Sequence, residues 1–317
     1  MFEFPLISIL VPIFNSQEYL QKCLESLFNQ TYANLEYVFV DDASQDDSFV
    51  LLKQLVSCYP KLESRIKIIH LTSNHGVSNA RNVALENASG KYVLFVDSDD
   101  CLYNVEAVDC LYDKAFQEDA DIVLGGFVYK TQHSSTTYHY GFSLKEEYIR
   151  KVILSEYPAT VCGKLIKKEL LSENLISSIP GINYGEDFVM TIQMALVAQK
   201  ISHIDQPVYL YVRRSGNSLS HPNEDTIYQC YTKINQELSK SFGKRSCEMN
   251  LLKLRTKLLF LKNISDIERL KQCELLYSNI LVIPELSFKD RLLLTLSKHH
   301  MFRFIVILQK MHMKIQI

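Results

Sequence analysis

Residues 91–96 read Lys-Tyr-Val-Leu-Phe-Val, and the next four positions, Asp97, Ser98, Asp99 and Asp100, carry three carboxylates. Such an apolar, β-branched and aromatic run predicts a strand buried on both faces. Charge at the end of a buried strand is costly unless it is solvated, paired or used. If the strand continues, Asp97 and Asp99 project to one side and Ser98 to the other. Two carboxylates so placed repel each other unless a cation lies between them. Oxygen ligands suit Mn2+ or Mg2+, ions that keep positions open for phosphate oxygens. The plainer alternative is that Asp99 or Asp100 caps a helix beginning near Asn104.

The same strand-to-acid arrangement recurs earlier in the chain. Residues 6–12 form an apolar run stopped by Pro12, and the loop Pro12-Ile13-Phe14-Asn15 leads to a helix capped by Asn15 or Ser16. A second run, 35–40, ends in Asp41 and Asp42 before a helix over 46–58. A third, 66–71, passes through Ser73, Asn74, His75 and Gly76 into a helix over 78–87 that Gly90 closes. Four strands alternating with helices predict an α/β fold, a mostly parallel, doubly wound sheet whose ligands lie beyond the strands' carboxyl ends. Asp41, Asp42, Asp97 and Asp99 all fall there.

Further strands are expected at 122–129, in 161–173 and at 207–213, with a polar stretch at 133–141 and an apolar helix over 188–197. Beyond residue 222 the pattern is helical throughout. The expected division is a nucleotide-binding domain over 1–222 and a helical appendage over 223–317. A net charge of -2 gives no reason to expect nucleic acid. The 8 cysteines, none in a Cys-x-x-Cys pair, read as small buried residues and not as zinc ligands or disulfides. The start, Met-Phe-Glu-Phe-Pro, lacks the basic flank of a leader, and no apolar run is long enough to span a bilayer, so a cytoplasmic location is expected. Residues 301–314 are apolar and basic, with Lys289, Arg291, Lys298 and Arg303 nearby. Such helices lie on the inner face of an anionic membrane, bind a protein acceptor, or pack against the rest of the chain.

The acids, loops and basic residues together suit a nucleoside diphosphate. Asp41 or Asp42 would accept a hydrogen bond from a base while Phe14 covers its ring, and Asp97 and Asp99 would hold ribose and metal. Gly76, Ser78 and Arg81 put a helix N-terminus and a guanidinium toward phosphate. No Gly-x-Gly-x-x-Gly and no phosphate-binding Gly-Lys loop occurs, which argues against a dinucleotide dehydrogenase or a P-loop ATPase. A second acid pair, Glu186 and Asp187, opens the apolar helix after Tyr184-Gly185. Capping accounts for one acid; Asp187 is the candidate general base for an acceptor hydroxyl.

In order, Ile-Ser-Ile-Leu-Val-Pro-Ile-Phe-Asn, Val-Asp-Asp-Ala-Ser-Gln-Asp, Gly-Val-Ser-Asn-Ala-Arg-Asn, Val-Asp-Ser-Asp-Asp and Tyr-Gly-Glu-Asp resemble glycosyltransferase family 2, the inverting GT-A transferases. The likeness covers about residues 5–220. It implies a GT-A, Rossmann-like sheet, Asp42 at uracil, Asp97 and Asp99 at ribose and Mn2+ or Mg2+, and Asp187 as base. The implied activity moves a hexose, galactose or glucose, from a UDP-sugar donor to a hydroxyl of a surface glycan or glycoprotein acceptor. Pro12, Phe14, Asn15, Asp41, Asn74, Ser78, Arg81 and Ser98 would line the donor pocket. Arg213 and Ser218, with Arg214 and Ser220 on the same Gly-containing loop, would fold over the diphosphate. The alternative is a non-catalytic nucleotide-sugar-binding partner of another transferase. A receiver-like phosphorelay domain would instead place its acid pair after the first strand. Three departures stand out. Ala43 replaces the usual Gly, tolerable if the backbone there avoids positive φ; Phe14 replaces Tyr; and 161–165 lacks the family's Trp and Asn.

Overall fold

The computed structural model describes residues 4–179, 181–182, 184–212, 222–243, 245–280, 282–284 and 286–313. The chain divides into two compact units, Met1–Glu147 with Ala159–Ser218, and Tyr148–Pro158 with Leu219–Ile317. The sequence division at residue 222 put 148–158 in the first domain; by its contacts this segment groups with the second unit.

In the first unit, Ile7–Ile13 (β1), Leu35–Asp41 (β2) and Tyr92–Phe95 (β4) are buried at every position. Ile66–His70 (β3) is half-buried at the sheet edge. Helices Leu20–Phe28 (α1), Ser48–Ser57 (α2) and Val77–Glu86 (α3) make the crossovers between them. The strands run parallel in the order β3-β2-β1-β4. Ile13 pairs with Asp41 and Asp41 with His70, so the loops after these strands open on one edge.

Beyond β4 the sheet becomes mixed. Cys101–Leu102 (β5), Ala107–Glu118 (α4), Ile122–Lys130 (β6) and Ser135–Tyr138 (β7) are followed by Lys145–Ile153 (α5), Lys164–Lys167 (β8), Lys168–Glu173 (α6), Glu186–Val197 (α7) and Ile201–Val212 (β9). β8 runs antiparallel to both β4 and β6, β6 is parallel to β9, and β5 is antiparallel to β9. The reversed β8 brings its entry, residues 161–164, to the carboxyl end of β4. The polar stretch expected at 133–141 supplies β7, an exposed edge paired with β6.

Three local expectations are corrected. α1 begins at Leu20 with no side-chain cap. Asn15 and Ser16 are drawn instead to the next loop, where Asn15 N–H donates to Ser44 Oγ at 3.0 Å and Ser16 N–H to Ser48 Oγ at 2.7 Å. Gly90 does not close α3, which ends at Glu86. A Cβ at Gly90 would lie 2.6 Å from Ser8 Oγ and 2.8 Å from the Leu6 carbonyl, so close approach to β1 requires the glycine. β4 itself ends at Phe95, before the acids.

The second unit holds Glu224–Phe242 (α8), Ser246–Asn263 (α9), Ile267–Leu276 (α10), Phe288–Lys298 (α11) and Phe302–Met313 (α12). α9 buries Leu251, Leu252, Leu254, Leu258, Phe260 and Leu261 around its circumference, as a central helix must. Its Lys257 pairs with Glu274 at 2.7 Å, both nearly out of solvent. Four cysteines, 23, 162, 230 and 273, are buried as expected, whereas Cys58 and Cys247 are exposed; none forms a disulfide.

Candidate active site

The edge built by β1, β2, β3 and β4 begins with Asp41 and Asp42, both buried at the end of β2. Asp42 Oδ1 accepts the His75 N–H at 2.9 Å and Oδ2 the Gly76 N–H at 2.7 Å, closing the loop after β3 against β2. Asp41 Oδ2 lies 2.7 Å from His70 Nδ1 and accepts the Ser44 N–H, while its Oδ1 is buried without a hydrogen-bond partner. Ala43 takes φ +56°, so the left-handed backbone that favours glycine is adopted after all. In the first loop Pro12 is buried within β1 and Phe14 is 43% exposed. Asn15 joins the loops through its Oδ1, which accepts the Gln45 N–H at 2.8 Å. Asn74 is exposed beyond β3, and Ser78 is buried at the start of α3, its hydroxyl 3.4 Å from the Ile182 carbonyl.

The acids after β4 lie in a turn closed by the Asp100 N–H bond to the Asp97 carbonyl at 3.0 Å. Strand alternation therefore does not set their directions, contrary to expectation. Ser98 is buried and its hydroxyl lies 2.7 Å from that of Ser16, tying the turn to the first loop. Asp99 is exposed. Asp100, 1% exposed, does not cap a helix, since α4 begins at Ala107 with no side-chain cap; its role in the turn is one that the sequence reading did not give it. Its carboxylate accepts the Tyr209 hydroxyl at 2.9 Å and the Val212 N–H at 3.0 Å. Burial, then the charges of Asp99 and Asp97, push its pKa up to about 8. The same Tyr209 hydroxyl accepts the Asp97 N–H at 3.1 Å, so one phenol holds both ends of the turn.

Arg81 stands at the centre and is only 3% exposed. Its Nη1 lies 2.5 Å from Asp187 Oδ1 and 3.6 Å from Glu186 Oε1, and its Nη2 lies 2.8 Å from Asp97 Oδ1. The guanidinium expected at phosphate is thus turned to three carboxylates. α3 also fixes the approach to α7, because the Asn82 amide exchanges two 2.8 Å hydrogen bonds with the Ser178 backbone. Gly185 then takes φ +83° and starts α7 with Glu186 and Asp187 in its first turn. Desolvation raises both acids' pKa values; Glu186 and Asp187 repel each other, and Arg81 opposes the rise.

Beneath Asp187 lies Lys164, a second group that sequence reasoning passed over. It is 2% exposed, and its ammonium donates to the Thr160 carbonyl and, at 3.2 Å, to Thr191 Oγ1. Desolvation lowers its pKa to about 8 against the pull of Asp187. The signal was its place between the apolar pairs Val161-Cys162 and Leu165-Ile166, where a lysine must find buried acceptors. Of the expected site residues, Asp41, Asp42, Ser78, Arg81, Asp97, Ser98 and Asp187 are tied to this edge by the contacts above. Arg213 and Ser218, with Arg214 and Ser220, lie outside the described residues.

Comparison with known proteins matches residues 8–175 to the family described as Glycosyl transferase family 2. Among curated relatives, glycosyltransferase GlyG of Streptococcus pneumoniae is 30% identical over 67% of this chain and 72% of its own length. The poly(ribitol-phosphate) beta-glucosyltransferase of Bacillus spizizenii is 32% identical over 88% of this chain but only 45% of its own length. Among solved structures, S. aureus TarS 1-349 in complex with UDP-GlcNAc superposes with a TM-score of 0.71 at 21% identity, covering 97% of this chain and 91% of that one. The mannosyltransferase PcManGT of Pyrobaculum calidifontis, solved with GDP-Man and Mn2+, superposes with a TM-score of 0.57 at 15% identity over 97% of this chain and 88% of that one.

Proposed function

Because the chain belongs to glycosyltransferase family 2, we propose that it moves a hexose from a UDP-sugar to a hydroxyl of a surface glycan or glycoprotein, inverting the anomeric centre. The observation that carries the reading is Arg81, which joins the acid turn after β4 to the acids that open α7. Donor-side and acceptor-side chemistry then meet at one guanidinium. Glucose or galactose is the favoured sugar, glucose drawing support from the Bacillus glucosyltransferase that aligns along most of this chain. A UDP donor draws support from the nucleotide sugar bound by TarS. The reading needs a pool of activated donor and so carries with it the cytoplasmic placement expected from the sequence.

Asp42, with each oxygen already accepting one backbone N–H, keeps a second lone pair on each for a base N–H. Phe14 offers an exposed ring face for that base. Asp187 takes the proton of the acceptor hydroxyl as the new bond forms, and Arg81 keeps its carboxylate ionised and aimed. The metal proposed here is Mn2+ or Mg2+. Among the described residues, no group of three or more His, Cys, Asp or Glu is arranged as a metal cage. Mn2+ and Mg2+ can be held by one or two carboxylates and completed by diphosphate oxygens. The exposed Asp99 and the part-exposed Asp97 at the turn after β4 fit such an ion as its ligands. When bound, such an ion neutralises the charge that develops on the UDP leaving group.

The test is UDP release from a panel of UDP-sugars with Mn2+, with and without chelator, alongside thermal melting with UDP and Mn2+. Turnover that chelator removes, and a Tm rise that Asp99→Ala abolishes, are expected. Nucleotide binding without turnover of any donor would instead favour the non-catalytic partner.

A further inference from the structure

One face of the second unit is left uncovered by the helices described there. In α12, Phe302 and Ile305 are buried, and Gln309 Nε2 donates to the Leu261 and Ile264 carbonyls at 2.8 and 3.0 Å, which fixes the inward side. About half a turn away, Phe304, Ile307 and Met311 are 56%, 52% and 57% exposed. Their spacing of three and four residues puts them on one side of the helix. Surface helices ordinarily carry charge there, and an outward apolar row needs a partner. Phe288, at the start of α11, is 83% exposed.

Charge says what kind of partner. Residues 286–311 contain Lys289, Arg291, Lys298, Arg303 and Lys310 against a single acid, Asp290, which is itself paired with Lys262 at 2.7 Å. The chain as a whole carries a net charge of -2, so this end is basic against the trend. Arg303 and Lys310, seven positions apart, are exposed along one flank of the apolar row. No described helix is long and apolar enough to cross a membrane.

We propose that α12, with the adjoining residues of α11, docks on an anionic lipid surface. Phe304, Ile307 and Met311 enter the boundary between headgroups and acyl chains, and Lys298, Arg303 and Lys310 meet the lipid phosphates. An apolar row flanked by cations and free of acids is the composition of an interfacial helix. A second copy of this chain docking through the same face would bring like charges together, which disfavours it. The contact is peripheral and weakens with salt, because each exposed cation acts within a Debye length of the surface. None of these residues belongs to the proposed donor site, so the inference stands apart from the sugar-transfer reading.

The experiment is sedimentation of the full chain with phosphatidylcholine vesicles, with and without phosphatidylglycerol. Binding at least about tenfold tighter to the anionic vesicles is expected, and it should be lost at high salt. Phe304→Ser with Ile307→Ser should abolish it while leaving Tm and donor turnover unchanged. Arg303→Glu with Lys310→Glu, which keeps the apolar row, should abolish it too. Equal binding to neutral vesicles, no binding, or binding retained by either double variant would overturn the proposal. So would a dimer that the first variant dissociates while vesicles are ignored. Loss of turnover with vesicle binding intact would tell only against the catalytic reading.

Discussion

The guanidinium of Arg81 lies 2.5 Å from the carboxylate of Asp187, 106 positions later in the chain. Because Arg81 also holds Asp97 through its other terminal nitrogen, it is a positioning residue for both halves of the site. Arg81→Ala would leave three buried or half-buried carboxylates facing one another, at a cost of about 3–5 kcal/mol. Urea unfolding measures that loss. Arg81→Lys keeps the charge but not the two-pronged reach. It should fold, with kcat reduced more than KM is raised; an unchanged kcat would remove Arg81 from the mechanism.

Asp187→Asn should retain UDP binding and lose about 10²–10⁴ in kcat, the usual worth of a general base. Isothermal titration with UDP separates this outcome from misfolding.

The pH dependence follows from the same residue. Burial raises the Asp187 pKa above the ordinary carboxylate value of 3.8. A base must be ionised, so kcat/KM should fall on acidification at a pH above that value. The stability contribution has the opposite sign. Between the unfolded and folded pKa values the folded state binds more protons, so this group's contribution is fully present below the unfolded pKa and is lost as pH rises through the folded one. Asp187→Asn should therefore remove the acid limb of the rate profile and lessen the loss of stability on raising pH.

Glu36, at the far end of β2, works the other way. It accepts the Ser8 hydroxyl at 2.5 Å, the Ser89 and Gly90 N–H groups, and pairs with Lys67 at 3.2 Å. Despite burial, these partners lower its pKa below 4.5. Its contribution is present above pH 4.5 and lost as pH falls through the lowered folded value. Glu36→Gln should cost about 2 kcal/mol at neutral pH. In acid the difference from the parent should vanish; a constant difference would mean that charge is irrelevant there.

Ala43 at φ +56° carries left-handed strain worth about 1–2 kcal/mol. Ala43→Gly relieves it and loses about 0.5–1 kcal/mol to chain entropy. The variant should be as stable as the parent or slightly more so. Ala84→Gly, in the buried face of α3, should lose about 1 kcal/mol or more. Equal losses at both positions would show that the backbone at Ala43 is unstrained.

The sequence by itself determined the parallel half of the sheet, because β1, β2 and β4 are runs that only a doubly covered strand can bury. It also marked the edge where the acids gather, since Asp41, Asp42 and Asp97 directly follow those runs. The direction of β8 was not legible: a four-residue strand, Lys-Leu-Ile-Lys, carries no record of which neighbour it pairs with. Nor were the partners of Arg81, Asp100 and Lys164, which come from β9, α7 and residues 160–191. Local pattern reports which residues are buried, but a charge's partner is chosen across the fold, where burial makes an unpaired charge costly. Thus Asp97 and Asp99 were visible as acids, while the phenol and guanidinium that hold their turn arrive only once β9 and α3 have taken their places in the fold.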